Sequence, residues 1–282
     1  MSGREAGPPF PTPTITFALA ALAMLLITGV ASAFGGGAAP YAVAAALGFG
    51  GLGTLAARFV PEPAAVRIGL TPFPARALLP VVALLPIALL NSELDNWIRL
   101  ALGAPSAEGL GKPQSAAPEE ILLIVLLLPV VREFFFRGVL LQGCVSALGR
   151  LRGVGLVALL QALLFAEGDP RTAAGALSAL AQALALAATL GLLRLASGSL
   201  LPCIALAAGL SALGVAATVY PGQLAIPGFN APGATTPLAY LIPAAASVAL
   251  GLWSLARQLA REPALPPIPP PAEDDEEVGP LF

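Results

Sequence analysis

Eight apolar runs follow one another along this chain, near residues 14–34, 40–59, 74–94, 118–147, 152–167, 173–195, 199–220 and 237–258. A helix needs about 20 mostly apolar residues to cross the hydrocarbon of a bilayer. A backbone inside lipid must also satisfy its own hydrogen bonds, which restricts runs of this kind to helices or closed barrels. The expected fold is all-α, a polytopic transmembrane bundle of about eight spanning helices. Composition agrees: 57% of residues are hydrophobic and 11% charged, far from the usage of a soluble domain. Alanine, leucine and glycine dominate, as where helices approach closely through small residues. The fifth run is short, which suits a tilted or protein-enclosed helix. The fourth is long and carries charges in its middle.

Basic residues give an orientation, because cytoplasmic loops collect Lys and Arg. Arg4, Arg58, Arg67, Arg76, Arg150, Arg152, Arg194, Arg257 and Arg261 fall on one side of the expected topology, and Arg99, Lys112 and Arg171 on the other. Both termini are expected to be cytoplasmic in a bacterial-type plasma membrane. The first 13 residues read as a disordered Pro-rich tail. Ala31-Ser32-Ala33 keeps a cleaved signal peptide open as a minor reading. Residues 14–117 form the N-terminal helices and a polar loop at 95–117, with a short surface helix at 94–99. Residues 118–215 are the core, and 216–261 a Gly/Pro-rich loop (221–236) and the last span. Residues 262–282, with the run Glu273-Asp274-Asp275-Glu276-Glu277, read as a disordered tail. With a net charge of −2 and no basic patch, nucleic acid is not an expected partner; the lipid bilayer is. Cys144 and Cys203, both in apolar runs, read as small buried hydrophobes rather than a disulfide.

The chemistry concentrates in the fourth run, which carries Arg132, Glu133 and Arg137. A charge at mid-bilayer costs roughly 2.5–3.5 kcal/mol on insertion scales, so such residues turn inward and pair. Glu133 and Arg137, four apart, share a helix face and can form an ion pair. Arg132 is rotated by about 100° from Glu133. It either shares that carboxylate or finds another partner, while Phe134, Phe135 and Phe136 fill the space around. Two readings stand: a polar site buried in the membrane, or an ion pair that only fixes helix packing.

Residues 132–140, Arg-Glu-Phe-Phe-Phe-Arg-Gly-Val-Leu, resemble the first motif of the CPBP family, also called the CAAX-protease or Abi family. These are intramembrane metalloproteases whose motif reads Glu-Glu-x-x-Phe-Arg-Gly-x-Leu. The resemblance continues at 162–169, where Phe165 takes the aromatic place of Phe-x-x-x-His. It resumes at Gly198-Ser199-Leu200-Leu201-Pro202, which fits the entry to His-x-x-x-Asn. It covers roughly residues 118–215 and implies a membrane endopeptidase with a glutamate-activated water and histidines holding a metal or an oxyanion. Glu133 and Arg137 are the retained motif residues and so the candidate catalytic pair. The other positions are changed. Arg132 replaces the first glutamate, Asp169 and Ala207 stand where histidines belong, and Ser211 takes the asparagine position; the chain contains no histidine.

Guanidinium does not act as a base, and alanine ligates nothing. The divalent metal that the family implies therefore lacks its ligands, and no cofactor is expected. The preferred reading is a catalytically impaired pseudoprotease that binds a membrane peptide, a lipid or a protein partner in a cavity lined by Glu133, Arg137 and the phenylalanines. One alternative is an active endopeptidase with a rebuilt carboxylate site using Glu133, Glu167 and Asp169. Against it, Glu167-Gly168-Asp169-Pro170 also reads as a helix-ending loop. A second alternative is a small transporter-like bundle, which lacks the paired broken helices of matching halves. Ser211 and Cys203 have no histidine to activate them and read as packing contacts.

Overall fold

The computed structural model describes residues 9–35, 38–104, 117–165, 172–219, 225–231 and 233–261. Its fold is an all-α membrane bundle, with no β-strand among the described residues beyond an isolated bridge between Pro227 and Ala231. α1 (Pro13–Ala33) starts with its Thr12 hydroxyl accepting from the Ile15 N–H and with proline in the first turn, two devices that satisfy or remove orphan donors. α2 (Ala39–Ala57) contains a π-turn at Ala46–Gly51. Short α3 (Ala64–Ile68) ends on Gly69 at φ +87°, a left-handed cap that glycine adopts without a Cβ penalty. α4 (Ala75–Ala101) follows. α5 (118–148) is a long rod interrupted by π-turns at Leu123–Leu127 and Phe134–Leu140. The remaining helices are α6 (Arg150–Phe165), α7 (Ala173–Ser197), α8 (Leu201–Val219) and α9 (Leu238–Arg261).

Among the described residues six helices, α1, α2, α4, α7, α8 and α9, are long and apolar enough to cross a membrane. The two other expected spans differ for physical reasons. α5 holds Arg132, Glu133 and Arg137 in its middle. α6 has 16 residues, about 24 Å of helix against a hydrocarbon core of about 30 Å. α6 compensates by burying Gly153, Val154, Val157, Ala158, Leu160, Gln161 and Ala162 against its neighbours.

Two hydrophobic cores share α7. One joins α1, α2, α5 and α6 through Ile27, Phe49, Phe135, Phe136 and Val157. The other joins α4, α7, α8 and α9 through Leu84, Leu190, Leu206 and Leu255. Large apolar side chains such as Phe17, Leu25, Leu79 and Leu250 are left exposed on the outside, which suits a lipid solvent rather than water.

The tail expected over residues 1–13 enters the described structure at Pro9. Phe10 lies 5.5 Å from Phe59, ring to ring, and its carbonyl accepts from Gln142. Residues 1–8 and the tail 262–282 lie outside the described residues. The segment expected to be a loop with a separate surface helix at 94–99 is instead continuous with α4 as far as Ala101. Its i,i+4 pair Asp95–Arg99, at 2.8 Å, supports the added turns. Glu93 then accepts from Asn96 (2.9 Å), the Trp97 indole (2.6 Å) and the Thr236 N–H (2.8 Å). Asn96 also donates to the Gly228 carbonyl at 2.8 Å, so the described part of the 221–236 loop is fastened to α4. Cys144 and Cys203 are both buried and unbonded to each other.

Candidate functional site

The charged residues sit where α5 changes its winding. Glu133 ends an α-helical stretch, and Arg137 lies in the π-turn Phe134–Leu140. A π-turn widens the helix by one residue and is often found at functional sites. Gly138 follows directly, and a Cβ there would meet Ile68 Cγ2 at 3.1 Å, so the glycine admits the end of α3 against α5. On the opposite flank the α2 π-turn packs against this stretch. Phe49 lies 5.4 Å from Phe135, 5.5 Å from Phe136 and 5.0 Å from Phe165, and Phe136 lies 5.6 Å from Phe165. The aromatic neighbour of the second motif thus joins the aromatics of the first.

Arg137 is the hub. One terminal nitrogen donates to Glu133 Oε1 at 3.2 Å and to Gln161 Oε1, and the other donates to the Ala187 carbonyl at 2.9 Å. The guanidinium also sits 5.9 Å from the Phe136 ring centroid. It therefore ties α5 to α6 and α7. The pair is enclosed, with Glu133 0% and Arg137 1% exposed. Two buried atoms beside it lack hydrogen-bond partners among the described residues: Glu133 Oε2 and Arg132 Nε. Arg137, and not Arg132, takes up the first oxygen of the carboxylate.

α8 closes the fourth side by packing along residues 123–133 of α5. Its start is fixed by the Gly198-Ser199-Leu200-Leu201-Pro202 segment. Gly198 caps α7 at φ +70°. The Ser199 hydroxyl donates to the Thr71 carbonyl at 2.8 Å and accepts from the Leu201 N–H at 3.3 Å, and the Leu200 N–H reaches the Gly69 carbonyl at 2.8 Å. This anchoring carries Cys203 into electrostatic reach of Glu133 and Arg137, while its thiol donates to the Leu190 carbonyl at 3.3 Å. Ala207, one turn further, is buried at 2% exposure, and Ser211 is part-buried beyond it. Glu133, Arg137 and Cys203 of α8 thus lie in one region. Asp169 and Glu167 lie outside the described residues.

Residues 115–213 match a family model described as type II CAAX prenyl endopeptidase Rce1-like. The region is Rce1-like. It takes in the three helices tied by Arg137, α5, α6 and α7, and most of α8. No curated protein and no solved structure gives a significant match to the chain.

Within the Rce1-like region, Gln161 was not singled out from the sequence. It is 7% exposed on α6, one turn before Phe165. Its signal was available: a single amide in the run Leu159-Leu160-Gln161-Ala162-Leu163, where a polar side chain inside lipid calls for a partner on another helix. The Ala187 carbonyl had no such signal, since every residue carries one. The donor chemistry around the hub, among the described residues, does not fit a divalent metal. Among the described residues no three His, Cys, Asp or Glu side chains converge. One oxygen of the single buried carboxylate is held by a guanidinium, and a second guanidinium lies beside it.

Proposed function

We propose that this chain is a catalytically impaired Rce1-like membrane protein, which holds a membrane peptide, a lipid or a protein partner without cutting it. The observation that carries the reading is the state of Glu133. The one carboxylate retained from the first motif has Oε1 in an ion pair with Arg137, which is itself held by Gln161 and the Ala187 carbonyl. A general base must lie within hydrogen-bond or one-water reach of the proton it takes. Glu133 lies instead in a closed, side-chain-packed setting beside the Arg132 guanidinium. The polar hub is kept as a packing device, and Phe49, Phe135, Phe136 and Phe165 fill the volume around it.

One observation favours a second reading, an active endopeptidase with a modified carboxylate site. Glu133 Oε2 is buried and has no partner among the described residues. A buried acceptor in that state is costly unless something meets it, and a water poised for attack would do so.

The matching family is described as a type II CAAX prenyl endopeptidase, so a farnesylated CAAX peptide is the first ligand to offer. Equilibrium binding to the full-length protein in lipid nanodiscs is expected to saturate and to exceed that of the unprenylated peptide. Equal and non-saturating signals for both peptides would contradict a retained peptide-binding role.

A further inference from the structure

A second polar feature lies away from the Rce1-like site, where the end of α9 meets the start of α4. A cleft of about 300 Å³ is lined there by Arg76, Trp253, Ser254, Arg257, Gln258 and Arg261. Trp253, Arg257 and Arg261 recur every four residues, so they form one stripe along α9. The Arg257 guanidinium lies 4.0 Å from the centroid of the Trp253 ring, and Gln258 donates to the Arg76 carbonyl at 3.0 Å, which fixes α9 against α4. Close by, Arg150 donates to the Leu259 carbonyl at 3.1 Å. Among the described residues, the lining holds three arginines and no carboxylate.

We propose that this cleft binds the phosphate group of an anionic phospholipid. The charge calls for an anion, and guanidinium forks match phosphate geometry. The surroundings point to a lipid as its source. On α9, Leu250 lies one turn before Trp253 on the same stripe and is exposed, and on α4, Leu79 lies one turn after Arg76 and is exposed. Apolar outward-facing surface therefore runs from the cleft along both helices, where acyl chains attached to the phosphate would lie. Trp253, half exposed beside Arg257, fits the level of the membrane interface, where tryptophan and arginine collect. Basic pockets between helix ends at that level are suited to anionic headgroups.

The test is mass spectrometry of intact protein–lipid complexes. Full-length protein in detergent is used, so that the acidic run Glu273–Glu277 is present. It is titrated with phosphatidylglycerol, with phosphatidylcholine and with inorganic phosphate. Phosphatidylglycerol is expected to bind with preference over phosphatidylcholine. The Arg257→Gln/Arg261→Gln variant is expected to lose roughly tenfold or more in that affinity, at about one surface-charge interaction per arginine. Arg257→Lys/Arg261→Lys, which keeps the charge, should retain most of it, and Arg152→Gln, outside the cleft, should leave it unchanged. Equal binding of the two lipids, an equal loss in Arg152→Gln, or inorganic phosphate binding as tightly as phosphatidylglycerol would overturn the proposal.

Discussion

A guanidinium sealed inside a membrane protein needs acceptors for its N–H groups, and Arg137 has three: Glu133, Gln161 and the Ala187 carbonyl. Removing one member of a buried pair leaves the other uncompensated, at a typical cost of about 3–5 kcal/mol. We therefore expect Arg137→Met to destabilise the protein by about that much, measured by unfolding in mixed micelles. Glu133→Leu/Arg137→Met should cost clearly less than the sum of the two single changes, because the double variant removes both members of the pair together. Equal and additive losses would remove the ion pair from the explanation. The Glu133–Arg137 contact was readable from four-residue spacing on a helix. Its wider bonding was not, because Gln161 and Ala187 come from helices 24 and 50 residues away, and only tertiary packing selects them.

At the scale of elements, the winding of α5 and the length of α4 decide what meets. A π-turn leaves no hydropathy signature, so the segment 134–140 read from sequence as ordinary helix. Gly138 lies in that turn against Ile68. Gly138→Leu is expected to cost about 1–3 kcal/mol through overpacking at the α3–α5 contact, again read by unfolding. α4 was expected to stop near residue 94, because its polar residues looked like a surface loop. The helix continues because those polar groups have partners: Asp95 with Arg99, and Glu93 with Asn96, Trp97 and the Thr236 N–H. Glu93→Ala removes the acceptor shared by those three donors. Faster backbone hydrogen exchange over residues 225–237 is the expected result, and exchange unchanged there would show that the loop is held by other contacts.

Across the whole molecule, the apolar runs and their order were legible because lipid imposes a strong, local rule on length and polarity. The region 118–215 was legible because motif residues recur in the order of an Rce1-like region, which matches over 115–213. The closure of the site around its charged pair differs from the sequence reading. Glu133 and Arg137 were expected to line a cavity, and they are packed at 0% and 1% exposure. The Lys and Arg distribution predicts that the Arg150 and Arg261 ends of the bundle share one side of the membrane and the Arg99 end faces the other. Single cysteines introduced at Leu151 and at Leu102, both exposed, should react with a membrane-impermeant thiol reagent from opposite sides of sealed vesicles. Labelling of both from the same side would reverse the topology.

The most direct measurement is a time course of a farnesylated CAAX peptide incubated with purified protein in nanodiscs, read by mass spectrometry of the peptide, with Glu133→Gln and chelator arms alongside. We expect the peptide to stay intact at the same background in all arms. Cleavage by the unmodified chain that disappears in Glu133→Gln would contradict an inert Glu133–Arg137 hub and establish a working carboxylate site.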